Sequence, residues 1–124
     1  MAETLLHVDD NAVRLRLIRA RLELLGYSVL TATSGEEALE LFETHHVDLA
    51  IVDYYMPGMT GDVVAIEMKR MKPDVPIVIF SGTFTLPEMV IAFVDGFVSA
   101  SDQPDALLDK ISQLLQSRRR ERAG

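Results

Sequence analysis

The chain has 124 residues, the size of one compact domain, and 48% of them are hydrophobic, which is sufficient for a core. Its formal charge of −7 argues against nucleic-acid binding by the body of the domain, because phosphate contacts need a basic face. The absence of cysteine excludes disulfides, thiolate metal sites and cysteine catalysis.

Short apolar runs alternate with longer amphipathic segments, and turn or cap residues separate them. The first half predicts strand, helix, strand, helix and strand over residues 4–8, 11–25, 27–31, 34–44 and 48–52. The second half predicts helix, strand, helix and strand over residues 60–71, 76–80, 86–93 and 96–98, then a last helix that begins near 102–104. Ser34 and Glu37 have the spacing of a capping box at the start of the second helix.

The alternation of five strands with five helices predicts an α/β domain with a parallel sheet. The strands are continuous apolar runs, as expected where helices cover both faces of a sheet. We expect one domain over residues 1–124, with a basic tail at about 117–124. The tail is interpreted as the end of the last helix, whose arginines complement the helix dipole, or as a linker to a lost output domain or a weak anion contact.

The N-terminal segment lacks the basic start and the apolar run of a signal peptide. No segment approaches the roughly 18 consecutive apolar residues of a membrane span. The lack of cysteine also fits a reducing compartment. We therefore expect a cytoplasmic protein with no membrane contact.

Polar side chains follow the predicted strands at the edge where ligands bind in parallel α/β sheets. Asp9 and Asp10 come after the first strand, Asp53 after the third and Ser81 after the fourth. Residues 99–101 (SAS) follow the fifth strand. We therefore expect three carboxylates and a hydroxyl group to converge at one edge of the sheet.

Three neighbouring carboxylates repel one another, and a hard divalent cation such as Mg²⁺ would offset that repulsion. An aspartate can also act as a nucleophile toward phosphorus and form an aspartyl phosphate. A simpler interpretation stays open for Asp9 and Asp10, since aspartate is favoured at helix N-caps. In that case the pair, together with Asn11, would only begin the first helix.

These strand ends resemble the receiver domains of two-component response regulators, and the resemblance covers nearly the whole chain. Asp9-Asp10 resembles the acidic pair of that family, and residues 53–61 (DYYMPGMTG) resemble its phospho-acceptor segment. Residues 80–82 (FSG) resemble the strand-end segment with its serine or threonine. Phe97 lies where the family keeps a switch aromatic, three residues before a lysine.

The resemblance implies a flavodoxin-like fold with a five-stranded parallel sheet of order 2-1-3-4-5 and five helices. It implies that Asp53 accepts a phosphoryl group from a histidine kinase or a phosphotransfer protein. It also implies a Mg²⁺ or Mn²⁺ site formed by Asp9, Asp10, Asp53 and the backbone carbonyl of Tyr55. The chain would be a signalling domain, an enzyme only toward its own phosphotransfer and dephosphorylation.

The resemblance further implies how the signal leaves the site. Ser81 would move toward the phosphoryl group and hydrogen-bond it, and Phe97 would turn inward. That shift would remodel the face formed by the fourth helix, the fifth strand and the fifth helix. A downstream protein or an output domain would dock there, or a second copy of the chain would form a homodimer.

One position departs from the family pattern. Ala100 stands where the family has a lysine that pairs with the phosphate, and alanine has neither a charge nor a side-chain donor. We therefore expect weaker coupling to the output face, and a second hypothesis is a pseudo-receiver, a binding module that acts without phosphorylation. A third, an aspartyl phosphohydrolase, is disfavoured because Tyr55 stands where that class has its second acid.

Other side chains carry simpler expectations. Tyr55 would either cover the phosphoryl group and slow the attack of water, or pack on the surface. His7 is expected to be a half-buried packing residue of the first strand. Met68, Met71 and Met89 are expected to fill the core.

Overall fold

The computed structural model of the chain describes residues 2–82, 86–100 and 105–123. Its strands are β1 (Thr4–Val8), β2 (Ser28–Ala32), β3 (Leu49–Val52), β4 (Ile77–Ser81) and β5 (Gly96–Ser99). Its helices are α1 (Ala12–Leu24), α2 (Gly35–Thr44), α3 (Gly61–Met71), α4 (Glu88–Phe93) and α5 (Ala106–Ala123). The elements follow the predicted order, and the predicted start of the last helix near 102–104 lies outside the described residues.

Cap residues set where the helices begin. Ser34 accepts a hydrogen bond from the Glu37 N–H at 3.2 Å, and the Glu37 carboxylate accepts one from the Thr33 N–H at 2.8 Å. The predicted capping box is therefore present, with its return bond on Thr33 rather than on Ser34. Pro87 is the N-cap of α4, so this helix begins at Glu88, two residues later than predicted.

All neighbouring strands are parallel, and the sheet has the order β2-β1-β3-β4-β5. The predicted strand order and flavodoxin-like fold are thus confirmed. β1 and β3 are adjacent, with Val8 opposite Val52. β4 and β5 are adjacent, with Ser81 opposite Ser99. These two pairings fix which side chains meet beyond the carboxyl ends of the strands.

Each face of the sheet has its own hydrophobic cluster. One cluster joins the sheet to α2 and α3 and includes Leu6, Val52, Phe42 and Met68. The other joins the sheet to α1 and α5 and includes Leu5, Ile51, Leu22 and Ile111. Successive residues of β3 alternate between the two clusters, so the central strand is buried on both faces, which explains its unbroken apolar run.

The basic segment at residues 117–123 forms the last turns of α5. Arg118 donates from Nη1 to the carbonyl oxygen of Asp48 at 2.5 Å, and Arg119 pairs with Glu3. These contacts lie at the edge of the sheet where β1 and β3 begin, opposite the carboxyl ends of the strands. In the described part of the chain, no helix is both long and apolar enough to cross a membrane.

The prediction that three methionines fill the core was wrong for two of them. Met68 is fully buried, but Met71 is 38% exposed and Met89 is 83% exposed. Met89 lies on α4, a helix of six residues whose buried residue is Val90. A short helix presents few side chains to the sheet, so most of its apolar residues stay at the surface.

Candidate functional site

Asp9, Asp10 and Asp53 meet at the carboxyl end of the sheet. One carboxylate oxygen from each lies within 4.8 Å of those of the other two. Asp9 and Asp53 are buried, and Asp10 is exposed. The pairing of Val8 with Val52 produces this arrangement, because the residues that follow these partners leave neighbouring strands at the same level. The predicted convergence of three carboxylates is therefore confirmed.

The cap of α1 and the contacts of Asp9 are made by different side chains. The side chain of Asn11, the N-cap of α1, accepts a hydrogen bond from the Arg14 N–H at 3.1 Å. Asp9 accepts one from the Asn11 N–H at 2.9 Å. Since Asn11 caps α1, the carboxylate of Asp10 is left at the surface beside Asp53, where it can bind a ligand.

Glycines allow the loop after Asp53 to fold against the start of α3. The Gly61 N–H donates to the carbonyl of Tyr54 at 2.7 Å. A Cβ atom on Gly61 would overlap the carbonyl oxygen of Asp53 and lie 2.7 Å from the Tyr54 Cα. Gly58, in the same loop, has a φ of 84°, a backbone angle that residues with a side chain rarely adopt. The backbone geometry of this loop therefore explains why positions 58 and 61 are glycine.

The remaining predicted residues lie on β4 and β5. Ser81 ends β4 and is buried, and its carbonyl accepts a hydrogen bond from the Ala100 N–H at 2.7 Å. Ala100 follows β5 and is exposed, so the position that lacks the expected lysine lies beside Ser81. Phe97 is half-buried on β5 opposite Ile79, against the cluster that contains α2 and α3.

An open cleft of about 750 Å³ lies above the carboxylates. It is lined by Asp10, Asn11, Arg14, Asp53, Tyr55, Ser81 and Gly82. Tyr55 is 62% exposed, and its ring meets the ring of Tyr54 edge-on, with centroids 4.8 Å apart. Tyr55 therefore forms an exposed wall of the cleft and is free of tight packing in the core.

Arg14 is a member of this site that the sequence interpretation missed. Its guanidinium donates to both carboxylate oxygens of Asp9, from Nε and from Nη2, the latter at 3.0 Å. Nη2 also lies 3.5 Å from Oδ2 of Asp53. The available signal was its position: a residue in the first turn of α1, just after the acidic pair, can reach back over the strand end.

Burial and charge shift the pKa values of the site. Burial, followed by the negative charge of Asp9, raises the pKa of Asp53 to about 6, and the cation of Arg14 opposes the increase. The hydrogen bond to Asp9 raises the pKa of Arg14 above its usual range. The site thus holds more negative charge than its single arginine balances.

His7 lies directly beneath Asp9, and the prediction that it is half-buried was wrong. Its side chain is fully buried, and neither ring nitrogen has a hydrogen-bond partner among the described residues. Burial lowers its pKa to about 4, although Nε2 is 3.9 Å from Oδ2 of Asp9. The ring is therefore neutral at physiological pH and contributes no cation to the site.

The donor set suits a small hard cation. Three carboxylates that can place one oxygen each within 4.8 Å match the preference of Mg²⁺ or Mn²⁺ for oxygen ligands. Tyr55, whose carbonyl is the fourth predicted ligand, belongs to the loop after Asp53 and lines the same cleft. The residues therefore fit a divalent cation.

Comparison with known proteins agrees with the fold. The family model of the response regulator receiver domain matches residues 5–112. Transcriptional regulatory protein GlrR of Escherichia coli (strain K12) is 36% identical over 115 residues, which are 90% of this chain and 26% of that protein. The chain therefore belongs to the receiver domain family of response regulators. It spans about half or less of the length of the curated relatives that it matches.

Solved structures show the same fold. A response regulator receiver domain protein (CheY-like) from Methanospirillum hungatei JF-1 superposes with a TM-score of 0.91 at 27% identity, covering 98% of this chain and 99% of that one. Response regulator protein TrrA from Thermotoga maritima, solved with Mg²⁺-BeF, has a TM-score of 0.85 at 33% identity and covers 90% and 98%. TrrA has also been solved in complex with the histidine kinase ThkA.

Proposed function

We propose that Asp53 accepts a phosphoryl group from a phosphohistidine of a histidine kinase or a phosphotransfer protein, and that this changes a protein-binding face of the domain. A carboxylate oxygen of Asp53 would form the new bond to phosphorus as the phosphorus–nitrogen bond of the donor breaks, and the imidazole would leave with the electron pair. Membership of the receiver family supports the signalling class, and the acceptor role is our inference from the site.

The observation that carries this proposal is the position of Asp53 in the cleft. Its carboxylate is buried, yet it lines an open cleft large enough for a phosphorylated side chain to enter. Its raised pKa of about 6 leaves it mainly ionised at neutral pH, as a nucleophile must be. The carboxylates of Asp9 and Asp10 lie within 4.8 Å of that of Asp53, and Ser81 lines the cleft with it.

Asp9, Asp10, Asp53 and the Tyr55 carbonyl would hold a Mg²⁺ or Mn²⁺ ion. When bound, such a cation would offset the repulsion between the carboxylates and the incoming phosphoryl oxygens. The protein's own contribution is to hold Asp53 at the strand end and to place the Ser81 hydroxyl for a hydrogen bond to the phosphoryl group. The complex of the relative TrrA with Mg²⁺-BeF is consistent with this use of the site.

We also propose that Phe97 transmits the change to the face formed by α4, β5 and α5. Ser81 and Phe97 lie on adjacent strands, and the Ala100 N–H links the end of β5 to the carbonyl of Ser81. A shift of Ser81 toward a phosphoryl group would therefore act directly on β5. A downstream protein, an output domain or a second copy of the chain would read that face.

Intact-mass spectrometry tests the acceptor role. The protein is incubated with Mg²⁺ and a small acyl or amido phosphate, with Asp53→Asn and Asp48→Asn in parallel, since Asp48 is a buried aspartate at the opposite edge of the sheet. We expect a gain of one phosphoryl group in the parent and in Asp48→Asn and none in Asp53→Asn. An equal gain in Asp53→Asn would place the modification elsewhere.

A second candidate function is that of a pseudo-receiver, and Ala100 is the observation that favours it. The position lies beside Ser81, which lines the cleft, and supplies no cation. In this case the folded parent would gain no phosphoryl group under any of these conditions. Its partner would then bind the unmodified domain.

A further inference from the structure

We infer that Arg14 is the cation that this site uses in place of the lysine missing at position 100. Arg14 pairs with Asp9 and Asp53 before phosphorylation and with the phosphoryl group afterwards. The second half of this inference rests on the proposed function of Asp53. The first half concerns the unphosphorylated protein and holds or fails independently.

The geometry places one guanidinium against both buried acids. Arg14 contacts the two oxygens of Asp9, and Nη2 is 3.5 Å from Oδ2 of Asp53. A guanidinium has five N–H donors in a planar fork, so it can contact two anionic groups at once. The side chain of Arg14 is 28% exposed and lines the cleft, so it also faces any group attached to Asp53.

Other cations lie away from the cleft. Lys110, the next lysine after position 100, lays its side-chain carbons over Gly96 at the beginning of β5, whereas the cleft lies beyond the end of that strand. Lys69 pairs with Asp95, and Lys72 donates to main-chain carbonyls at the end of α2. Within the described ranges, Arg14 is the one cation whose nitrogen lies within 4.0 Å of an Asp53 oxygen.

In the phosphorylated state, the negative charges of the site would need the positive charge of Arg14. A phosphoryl group on Asp53 carries up to about two negative charges, and the carboxylates of Asp9 and Asp10 add one each. A divalent cation would offset two of these four charges, and a lysine after β5 would offset a third. With Ala100 in that place, Arg14, which lines the cleft, supplies the third positive charge.

This role predicts opposite effects on two ligands. Before phosphorylation, Arg14 and a divalent cation are attracted by the same carboxylates, so loss of Arg14 should favour the metal. A phosphoryl analogue attached at Asp53 is attracted by Arg14, so its binding should weaken. A side chain that only supported the fold would not strengthen one of these interactions while weakening the other.

Calorimetric titration can measure both effects. Mg²⁺ alone is titrated into the parent, Arg14→Ala and Arg16→Ala, and then beryllium fluoride is titrated in the presence of saturating Mg²⁺. Arg16→Ala is the matched control, because Arg16 is exposed on α1 and its loss changes the net charge equally. We expect Arg14→Ala to bind Mg²⁺ about threefold to tenfold more tightly and beryllium fluoride more weakly by a similar factor. Adding Ala100→Lys to Arg14→Ala should restore binding of beryllium fluoride.

A spectroscopic measurement on the parent does not depend on how stable the variants are. The Nε–H signal of Arg14, assigned by its loss in Arg14→Lys, should move when Mg²⁺ is added and again when beryllium fluoride follows. An unmoved signal, or Mg²⁺ and beryllium fluoride affinities of Arg14→Ala equal to those of Arg16→Ala, would overturn the inference. If the parent gains no phosphoryl group but Arg14→Ala still binds Mg²⁺ more tightly, the proposed function fails and the first half of this inference stands.

Discussion

Replacing Asp53 with asparagine should stabilise the protein in metal-free buffer. Burial and the charge of Asp9 raise the pKa of this carboxyl from its ordinary value of 3.8 to about 6. At about 1.36 kcal/mol per pKa unit, holding the carboxylate ionised in the folded state costs about 3 kcal/mol above pH 6. Asparagine has the same shape and no charge, so Asp53→Asn should raise the free energy of unfolding by up to that amount.

The pH dependence of this gain has a definite sign. Because the pKa is raised on folding, the contribution of Asp53 to stability is fully present below about pH 4 and is lost as the pH rises through about 6. The advantage of Asp53→Asn should therefore be close to zero at pH 4 and largest above pH 7. The titration of His7 cancels in this comparison, because both proteins contain it.

Urea denaturation followed by far-ultraviolet circular dichroism, with a chelator present, measures this difference across a pH series. Asp74→Asn is the control, because Asp74 is exposed and belongs to the opposite edge of the sheet. Mg²⁺ should narrow the gap by stabilising only the parent. Equal stability of Asp53→Asn and the parent at pH 7.5, or a gain that does not change with pH, would refute this account of the site.

Three further predictions concern single residues. Burial lowers the pKa of His7 from 6.5 to about 4, so the free energy of unfolding should fall as the pH drops below 6.5. In the same urea assay, His7→Leu should lose about 2 kcal/mol less of that free energy than the parent between pH 7.5 and pH 5. Parallel pH profiles of the two proteins would contradict this. Gly61→Ala should lower the midpoint of thermal unfolding, whereas Gly82→Ala, whose Cβ would meet nothing within 4 Å, should not; similar midpoints would count against the close approach to Asp53. Tyr55→Ala should shorten the lifetime of the acyl phosphate and Tyr55→Phe should preserve it, and an unchanged lifetime in both would leave Tyr55 as a surface residue.

The sequence predicted the order of the elements because the fold makes strong local demands. β3 is an unbroken apolar run since helices cover both of its faces, and Ser34 begins α2 because its hydroxyl can cap that helix. The convergence of Asp9 and Asp53 followed from the rule that parallel strands present their carboxyl ends at one edge. These features need only the pattern of residues and the general behaviour of parallel sheets.

Other features depended on distances that the sequence does not contain. In the sequence, Arg14 resembles any other polar residue of a helix. Only the position of α1 in the structure shows that its guanidinium reaches Asp9 and Asp53. His7 lies between hydrophobic neighbours in β1, and this pattern does not show how far its side chain is buried. Its complete burial depended on how tightly α1 and α5 cover that strand. Met89 was misjudged because the hydrophobic pattern cannot show how few residues of α4 contact the sheet.

The hydrogen bond from the Ala100 N–H to the carbonyl of Ser81 uses only main-chain atoms. The end of β5 therefore keeps its position whatever side chain residue 100 carries, with the exception of proline, which has no N–H. Natural variation or protein engineering can change the charge beside Ser81 without disturbing the strand. The charge of residue 100 and the position of the strand end are thus independent of each other.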